Sequence, residues 1–288
     1  MGGADKFNNQ QILVVGATGA LGGAIARQLK VEGADLIVSG REQGKLAALT
    51  AECGGSSLSV DLSDSAGCVQ LADAVGELDG VVYAAGVAPV VPVRYLKDAD
   101  IEACLNLNTT MPLLLIRELL KKKRLKTGAS IVWMSSLASV RGTAGYAAYA
   151  ASKAGLEASA RCLALELAPK RMRVNCIAPG MIETDMAEAT AERISDEALA
   201  AHLKAYPLGA GQPADVAAAT SFLLSQESRW VTAVVVVVAG CWLQLAAAAV
   251  AAAAVAAAVP APAAAAGCCW LLAAGCCWLL AAAAAAAA

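Results

Sequence analysis

A hydroxyl, a phenol and an ammonium crowd one short stretch near the middle of this chain: Ser136, Tyr149 and Lys153 in SLASVRGTAGYAAYAASKAG, Ser136 to Gly155. Tyr149 and Lys153 stand four residues apart in an Ala-rich run without a helix breaker, which stacks them on one helical face. A phenol has a reference pKa near 10 and is a poor acid or base at neutral pH unless a positive charge favours its anion. Lys153 is placed to supply that charge, and Ser136 to hydrogen-bond a carbonyl oxygen where negative charge develops. The pair alone reads more readily as two side chains on a surface helix, so its meaning depends on the elements that position it.

Those elements alternate regularly. QILVV (Gln11 to Val15) is a short apolar run, and GATGALGGAIARQLK follows with apolar residues at helical spacing. Strand, glycine-rich turn and helix aim backbone N–H groups and a helix N-terminus at a phosphate. Gly16, Thr18, Gly19, Leu21 and Gly22 are the candidate binding residues there. A second strand, Asp35 to Ser39, ends in Gly40 and Arg41. In dinucleotide sites an acid at this strand end holds the ribose 2′-hydroxyl, whereas an Arg accommodates a 2′-phosphate. With Gly40 where the acid would stand, Arg41 favours NADP(H) over NAD(H); the plainer reading is that Arg41 caps a surface turn.

A helix is expected near Gln43 to Cys53, then a strand at Ser57 to Val60 with Asp61 and Leu62 at its end. Asp61 serves there either as an adenine contact or as an N-cap. A helix over Ala66 to Val75 and a strand from Gly80 to Tyr83 lead to Ala85 and Gly86. One long helix from about Ala99 carries Asn106 and Asn108 and runs into Lys121, Lys122, Lys123, Arg124 and Lys126, either a solvated helix end or a dock for an acidic partner. Ile131 to Met134 delivers Ser136 at its carboxyl end, where parallel sheets place chemistry. The Tyr149 helix runs to about Leu167 and the next strand from Arg173 to Ile177, after which Ala178, Pro179 and Gly180 break the chain. Glu183 to Tyr206 reads as a mobile helical flap over a substrate, followed by a helix from Pro213 to Ser225 and a strand from Val234 to Val238. The alternation implies an α/β fold with a parallel sheet of about seven strands and helices on both faces.

Composition narrows the function classes. The 288 residues carry a net charge of -2, which offers no basic field for nucleic acid. Cys53, Cys68, Cys104, Cys162 and Cys176 are scattered without metal-ligand spacing and read as buried thiols in a reducing cytoplasm, with no metal expected. The polar start, MGGADKFNNQ, does not look like a secretory signal. The single histidine, His202, falls in a polar stretch and reads as solvated.

With these residues in view, Met1 to about Gly240 resembles the short-chain dehydrogenase/reductase family, in the one-domain branch that includes the 3-oxoacyl-carrier-protein reductases. Ser136, Tyr149 and Lys153 match its catalytic serine and YxxxK motif, and Asn108 matches the asparagine that completes its tetrad. In RVNCIAPGMIETDM, Pro179, Gly180, Ile182 and Thr184 match positions facing the nicotinamide. The resemblance implies a Rossmann-type doubly wound sheet and an NADP(H)-dependent oxidoreductase acting on a carbonyl or secondary alcohol. It also implies a small-molecule substrate, a cytoplasmic location and a homo-oligomer, dimer or tetramer. Tyr83-Ala84-Ala85-Gly86 stands where the family has Asn-Asn-Ala-Gly, so hydrogen bonds that tie the central strands are expected to be missing. Ala233 replaces a glycine before the last strand.

After Arg229 no residue is charged, and Cys241 to Ala288 is an Ala-rich extension in which AGCCWLLA recurs. Residues 1–240 are expected to form the dinucleotide domain and 241–288 a separate tail, with loose docking, self-association and membrane insertion weighed in that order. Crossing a bilayer is disfavoured because Val234 to Val238 is needed in the sheet and no cation flanks the far side. The tail is expected to weaken one subunit contact and leave a dimer. The rival to an enzyme is a non-catalytic dinucleotide-binding sensor or scaffold.

Overall fold

A computed structural model describes residues 5–184, 187, 204 and 206–240. The chain divides into two compact units, Met1–Leu199 with Ala210–Ala239, and Ala200–Gly209 with Gly240–Ala288. In the second unit the described residues form a turn closed by Gly209 N–H on the Tyr206 carbonyl at 2.9 Å.

In the first unit the strands are β1 (Gln11–Val15), β2 (Asp35–Gly40), β3 (Ser56–Ser59), β4 (Leu78–Tyr83), β5 (Leu125–Met134), β6 (Arg173–Pro179) and β7 (Val235–Val238). The helices are α1 (Ala20–Val31), α2 (Gln43–Cys53), α3 (Ser65–Ala74), α4 (Asp98–Leu105), α5 (Met111–Lys121), α6 (Ala147–Leu167) and α7 (Pro213–Leu224). All seven strands are parallel, in the order β3-β2-β1-β4-β5-β6-β7. The order reverses between β1 and β4, the switch point outside which such sheets bind ligands.

Both faces of the sheet are covered, so the inner strands are largely apolar and their side chains alternate between two cores, while the edge strand β3 is polar and mostly exposed. Leu13, Val81, Ile131, Trp133 and Val174 pack with Leu71, Leu115 and Leu156 from α3, α5 and α6. Ile12, Val14, Val82, Val132 and Ile177 pack with Ile25, Leu49 and Val216 from α1, α2 and α7.

Several expectations change. The long helix from Ala99 is two helices joined by a π-helical turn, Asn106–Thr110, because one extra residue is accommodated there in the helical ladder. Ala178 and Pro179 do not break the chain: β6 continues through Pro179, which pairs with Val238. Proline is tolerated because the pairing with β5 has ended at Ile177, leaving only one neighbouring strand. The basic cluster is largely matched within the fold. Lys122 pairs with Asp73, Lys126 with Asp79 at 2.7 Å, and Lys121 with Glu118 at 3.3 Å, while Arg124 donates to the Ala72 carbonyl.

Cys53, Cys68, Cys104 and Cys176 are buried; Cys162 is exposed on α6, against the expectation that all five are core thiols. Among the described residues no helix is long and apolar enough to cross a membrane. Most of the expected flap, His202 and the whole tail from Cys241 lie outside the described residues.

Candidate active site

The carboxyl ends of β1, β2, β4, β5 and β6 share one edge of the sheet and carry the candidate residues. At the end of β1, Gly16 has φ +79°, and a Cβ there would meet Ala85 N at 2.4 Å. A Cβ on Gly22 would meet the Gly16 carbonyl oxygen at 2.3 Å. Side chains at either position would therefore fill the turn. The N–H groups of Gly16 and Ala17 both donate to the Ser39 carbonyl, at 2.9 and 3.0 Å, fixing the turn to β2. Gly19 is the N-cap of α1 and brings no side chain to its first turn, where Leu21 and Gly22 lie. This concave backbone, opening a helix without a side-chain cap, fits a dinucleotide phosphate.

At the end of β2, a Cβ on Gly40 would lie 3.0 Å from both Cγ2 and Oγ1 of Thr18. Arg41 is exposed, and its guanidinium takes no partner among the described residues, leaving it open to an anion. Asp61 is exposed and accepts from Ser63 N–H at 3.0 Å; the N-cap of α3 is Asp64, not Asp61. Leu62 turns its side chain into the core with Cys68 and Leu71.

At the end of β4, Ala85 and Gly86 are half-buried beside Asn108. Asn108 is fully buried and grips Val87 twice, its Oδ1 accepting from Val87 N–H at 2.9 Å and its Nδ2 donating to the Val87 carbonyl at 2.8 Å. The same Nδ2 donates to Ser152 Oγ at 3.0 Å, and Ser152 Oγ donates to the Tyr149 carbonyl at 2.7 Å. A Cβ on Gly86 would sit 3.0 Å from Asn108 Oδ1 and 3.4 Å from Lys153 Nζ, so glycine lets this loop approach both. Some of the tie expected to be lost with the two asparagines is replaced: Tyr83 is buried and its hydroxyl donates to the Leu107 carbonyl at 3.0 Å, fastening β4 to the π turn.

Beyond β5, Ser136 caps a short 3₁₀ turn, Leu137–Ser139, its Oγ accepting from Ala138 N–H at 3.2 Å. From α6, Tyr149 packs edge-on to Tyr146, and Lys153 Nζ lies 5.7 Å from the Tyr149 ring centre. Lys153 is buried and donates to the Met134 carbonyl at 2.7 Å. Burial pushes the Tyr149 phenol up to about 12, while its hydrogen bond with Ser136 pulls the other way. Burial pushes the Lys153 ammonium down to about 8, against the charges of Cys104, Cys176 and Glu157. Burial acts on both groups in the same sense, favouring the neutral phenol and the neutral amine.

At the end of β6, Pro179 and Ile182 are buried and Gly180 N–H donates to the Val238 carbonyl at 2.9 Å. Ile182 forms a bridge with Gly211, and Thr184 Oγ1 accepts from Ala187 N–H at 3.2 Å. The structure thus brings Asn108, Ser136, Tyr149 and Lys153 around one end of α6, with the Gly16 turn, Ala85 and Gly86 alongside. Asp61 stands at the neighbouring rim of the sheet, and the side chain of Leu62 leaves it. Ser152 and Glu157 were missed by sequence reading, although both lie on the Tyr149 helix and their spacing from Lys153 was there to be read. Among the described residues no group of three His, Cys, Asp or Glu side chains could hold a metal ion.

A family model described as enoyl-(acyl carrier protein) reductase matches residues 16–241. The 3-oxoacyl-[acyl-carrier-protein] reductase of Rickettsia bellii is 34% identical over 229 residues, covering 78% of this chain and 93% of that protein. Human dehydrogenase/reductase SDR family member 4 is 31% identical over 247 residues, covering 82% and 88%. A short-chain dehydrogenase/reductase from Brucella melitensis superposes with a TM-score of 0.75 at 30% identity, over 82% of this chain and 97% of that one. A structure of BdcA in complex with NADPH superposes with a TM-score of 0.74 at 26% identity, over 82% and 95%.

Proposed function

Because the chain belongs to the short-chain dehydrogenase/reductase family, and so is an NAD(P)-dependent oxidoreductase, we propose that it reduces a ketone, a 3-oxoacyl thioester or a similar carbonyl, with NADP(H) preferred. The observation that carries this reading is the convergence of Ser136, Tyr149 and Lys153 at the carboxyl end of β5, beside the glycine turn. The nicotinamide cofactor, when bound, supplies or accepts the hydride. Its phosphates fit the Gly16, Gly19 and Gly22 backbone with Thr18 and Leu21 alongside, and a 2′-phosphate fits the unpartnered Arg41. Asp61, the backbone at Leu62, Ala85 and Gly86 are proposed to line the path between its two ends, and Pro179, Gly180, Ile182 and Thr184 the nicotinamide side.

Ser136 Oγ binds the carbonyl oxygen, and Tyr149 gives that oxygen its proton; a phenol held near 12 keeps its proton at neutral pH and is ready to donate. The phenolate left behind is stabilised by Lys153, which is an ammonium below about pH 8. Asn108 spends both amide hydrogens on Val87 and Ser152, so its side chain holds the loop after β4 against α6 and thereby keeps Tyr149 in place. A small-molecule substrate, homo-oligomeric assembly and a cytoplasmic setting accompany this reading, as does a tail separate from the 1–240 domain.

Titrating NADPH and NADH against the protein by nicotinamide fluorescence, with Arg41→Ala beside the wild type, tests the cofactor. Tighter NADPH binding that Arg41→Ala brings to the NADH level supports the preference; equal binding of both by the wild type overturns it.

A further inference from the structure

Tyr149, Lys153 and Glu157 stand at successive turns along one face of α6, and the third of them has no part in the reaction described above. Glu157 is 5% exposed, and a buried carboxylate is costly unless hydrogen bonds or a counter-charge compensate it. Its Oε1 accepts from Ser135 Oγ at 2.5 Å and from Ser139 Oγ at 2.7 Å. These two serines bracket Ser136: Ser135 precedes it at the end of β5, and Ser139 ends the 3₁₀ turn that it caps. One oxygen therefore closes a loop around the Ser136 turn and ties it to the helix that carries Tyr149. Lys153 adds a third tie through the Met134 carbonyl.

The charge on Glu157 has a second consequence. The groups felt by Lys153 are Tyr149 and Glu157 on α6, Cys104 on α4, Cys176 on β6 and the Met134 carbonyl on β5. Burial holds both cysteine thiols and the Tyr149 phenol protonated well above neutrality. With the thiols neutral, the carboxylate of Glu157, one turn along the same helix face, is the remaining charge that favours the ammonium.

We propose that Glu157 is a positioning residue for the reaction: through Ser135 and Ser139 it fixes Ser136, and its carboxylate stands one helical turn from Lys153 as the counter-charge to that ammonium. This rests on the reductase reading, and two variants separate its two halves. Glu157→Gln can still accept from both serines but carries no charge. Ser135→Ala/Ser139→Ala leaves the Glu157 side chain in place and releases the turn.

The Lys153 titration is followed by NMR of lysine labelled with ¹³C at Cε, assigned with Lys153→Met. In parallel, kcat and KM are measured against pH with NADPH and acetoacetyl-coenzyme A. In Glu157→Gln the Lys153 midpoint and the alkaline limb of kcat should move together to lower pH. In the serine pair kcat should fall about tenfold or more with KM changing much less. An unmoved Lys153 midpoint in Glu157→Gln, or an unchanged kcat in the serine pair, overturns the proposal. If the wild type does not turn over, the reductase reading fails and the Lys153 midpoint alone decides for or against the counter-charge. If Glu157→Gln does not fold, the kcat of the serine pair decides.

Discussion

Replacing Lys153 with Met removes a buried charge while keeping a side chain of similar length, and the consequence for stability depends on pH in a defined direction. The ammonium titrates at about 8 in the folded protein against 10.5 for an ordinary lysine. Folding therefore carries a penalty for charging it, of about 3 kcal/mol at about 1.4 kcal/mol per unit. For a base whose folded value is depressed, the penalty is complete below the folded value. It is released as pH rises from about 8 towards 10.5, where the unfolded chain binds the proton and the folded one does not. Over the interval from about pH 7.5 to about pH 9.5, the wild type should gain about 2 kcal/mol relative to Lys153→Met. Urea unfolding of both proteins at the two pH values, followed by circular dichroism, reads this change directly. Titrations shared by the two proteins cancel in the difference, among them Cys68, which burial pushes up to about 11. The lost hydrogen bond to Met134 shifts the difference equally at both pH values. A gap that stays constant, or that moves in favour of the variant as pH rises, would refute the burial argument for Lys153.

Other outcomes follow from the same geometry. Arg173 is buried, has no carboxylate partner among the described residues, and donates to the carbonyls of Leu223, Leu224, Ser225 and Val231, capping the end of α7. Arg173→Met should cost about 3 kcal/mol or more in urea unfolding, because the carbonyls lose a charged donor in a dry site; a loss below about 1 kcal/mol would contradict that role. Gly22→Ala puts a methyl 2.3 Å from the Gly16 carbonyl oxygen and should abolish NADPH binding in a fluorescence titration, while near-wild-type binding would show that the turn can open at no cost. Ala233 has φ +62°, a conformation that costs an L-residue about 1–2 kcal/mol. Ala233→Gly should therefore not destabilise the fold despite its lost methyl, and a clear fall in the urea midpoint would contradict this.

What could be read from the sequence was local. The glycine turn after β1 and the Tyr149–Lys153 pair each lie within a few residues, so spacing alone placed them on a strand end and a helix face. The parallel sheet of about seven strands followed from the alternation of apolar runs and helices, whereas its order did not. The supports of the site come from farther away. Asn108 reaches Val87 and Ser152, Glu157 reaches back to Ser135 and Ser139, and Lys122 and Lys126 find Asp73 and Asp79 about fifty residues earlier. No periodicity announces such pairs. The π turn at Asn106–Thr110 was equally hidden, since NLNTT contains no breaker and one added residue barely disturbs the apolar pattern. For Lys153 the i, i+4 spacing showed that a charge was near the phenol, but only the packing shows that the ammonium is buried and held by the Met134 carbonyl.

The central claim is that Tyr149 moves the proton while the glycine turn and Lys153 hold the cofactor end of the site. Tyr149→Phe removes one oxygen and leaves Ser152, Asn108 and the turn in place, so NADPH should bind as it does to the wild type. Turnover of acetoacetyl-coenzyme A should fall by about 100-fold or more, the usual scale for losing a general acid. Turnover within a few-fold of the wild type, with NADPH still bound, would contradict the account.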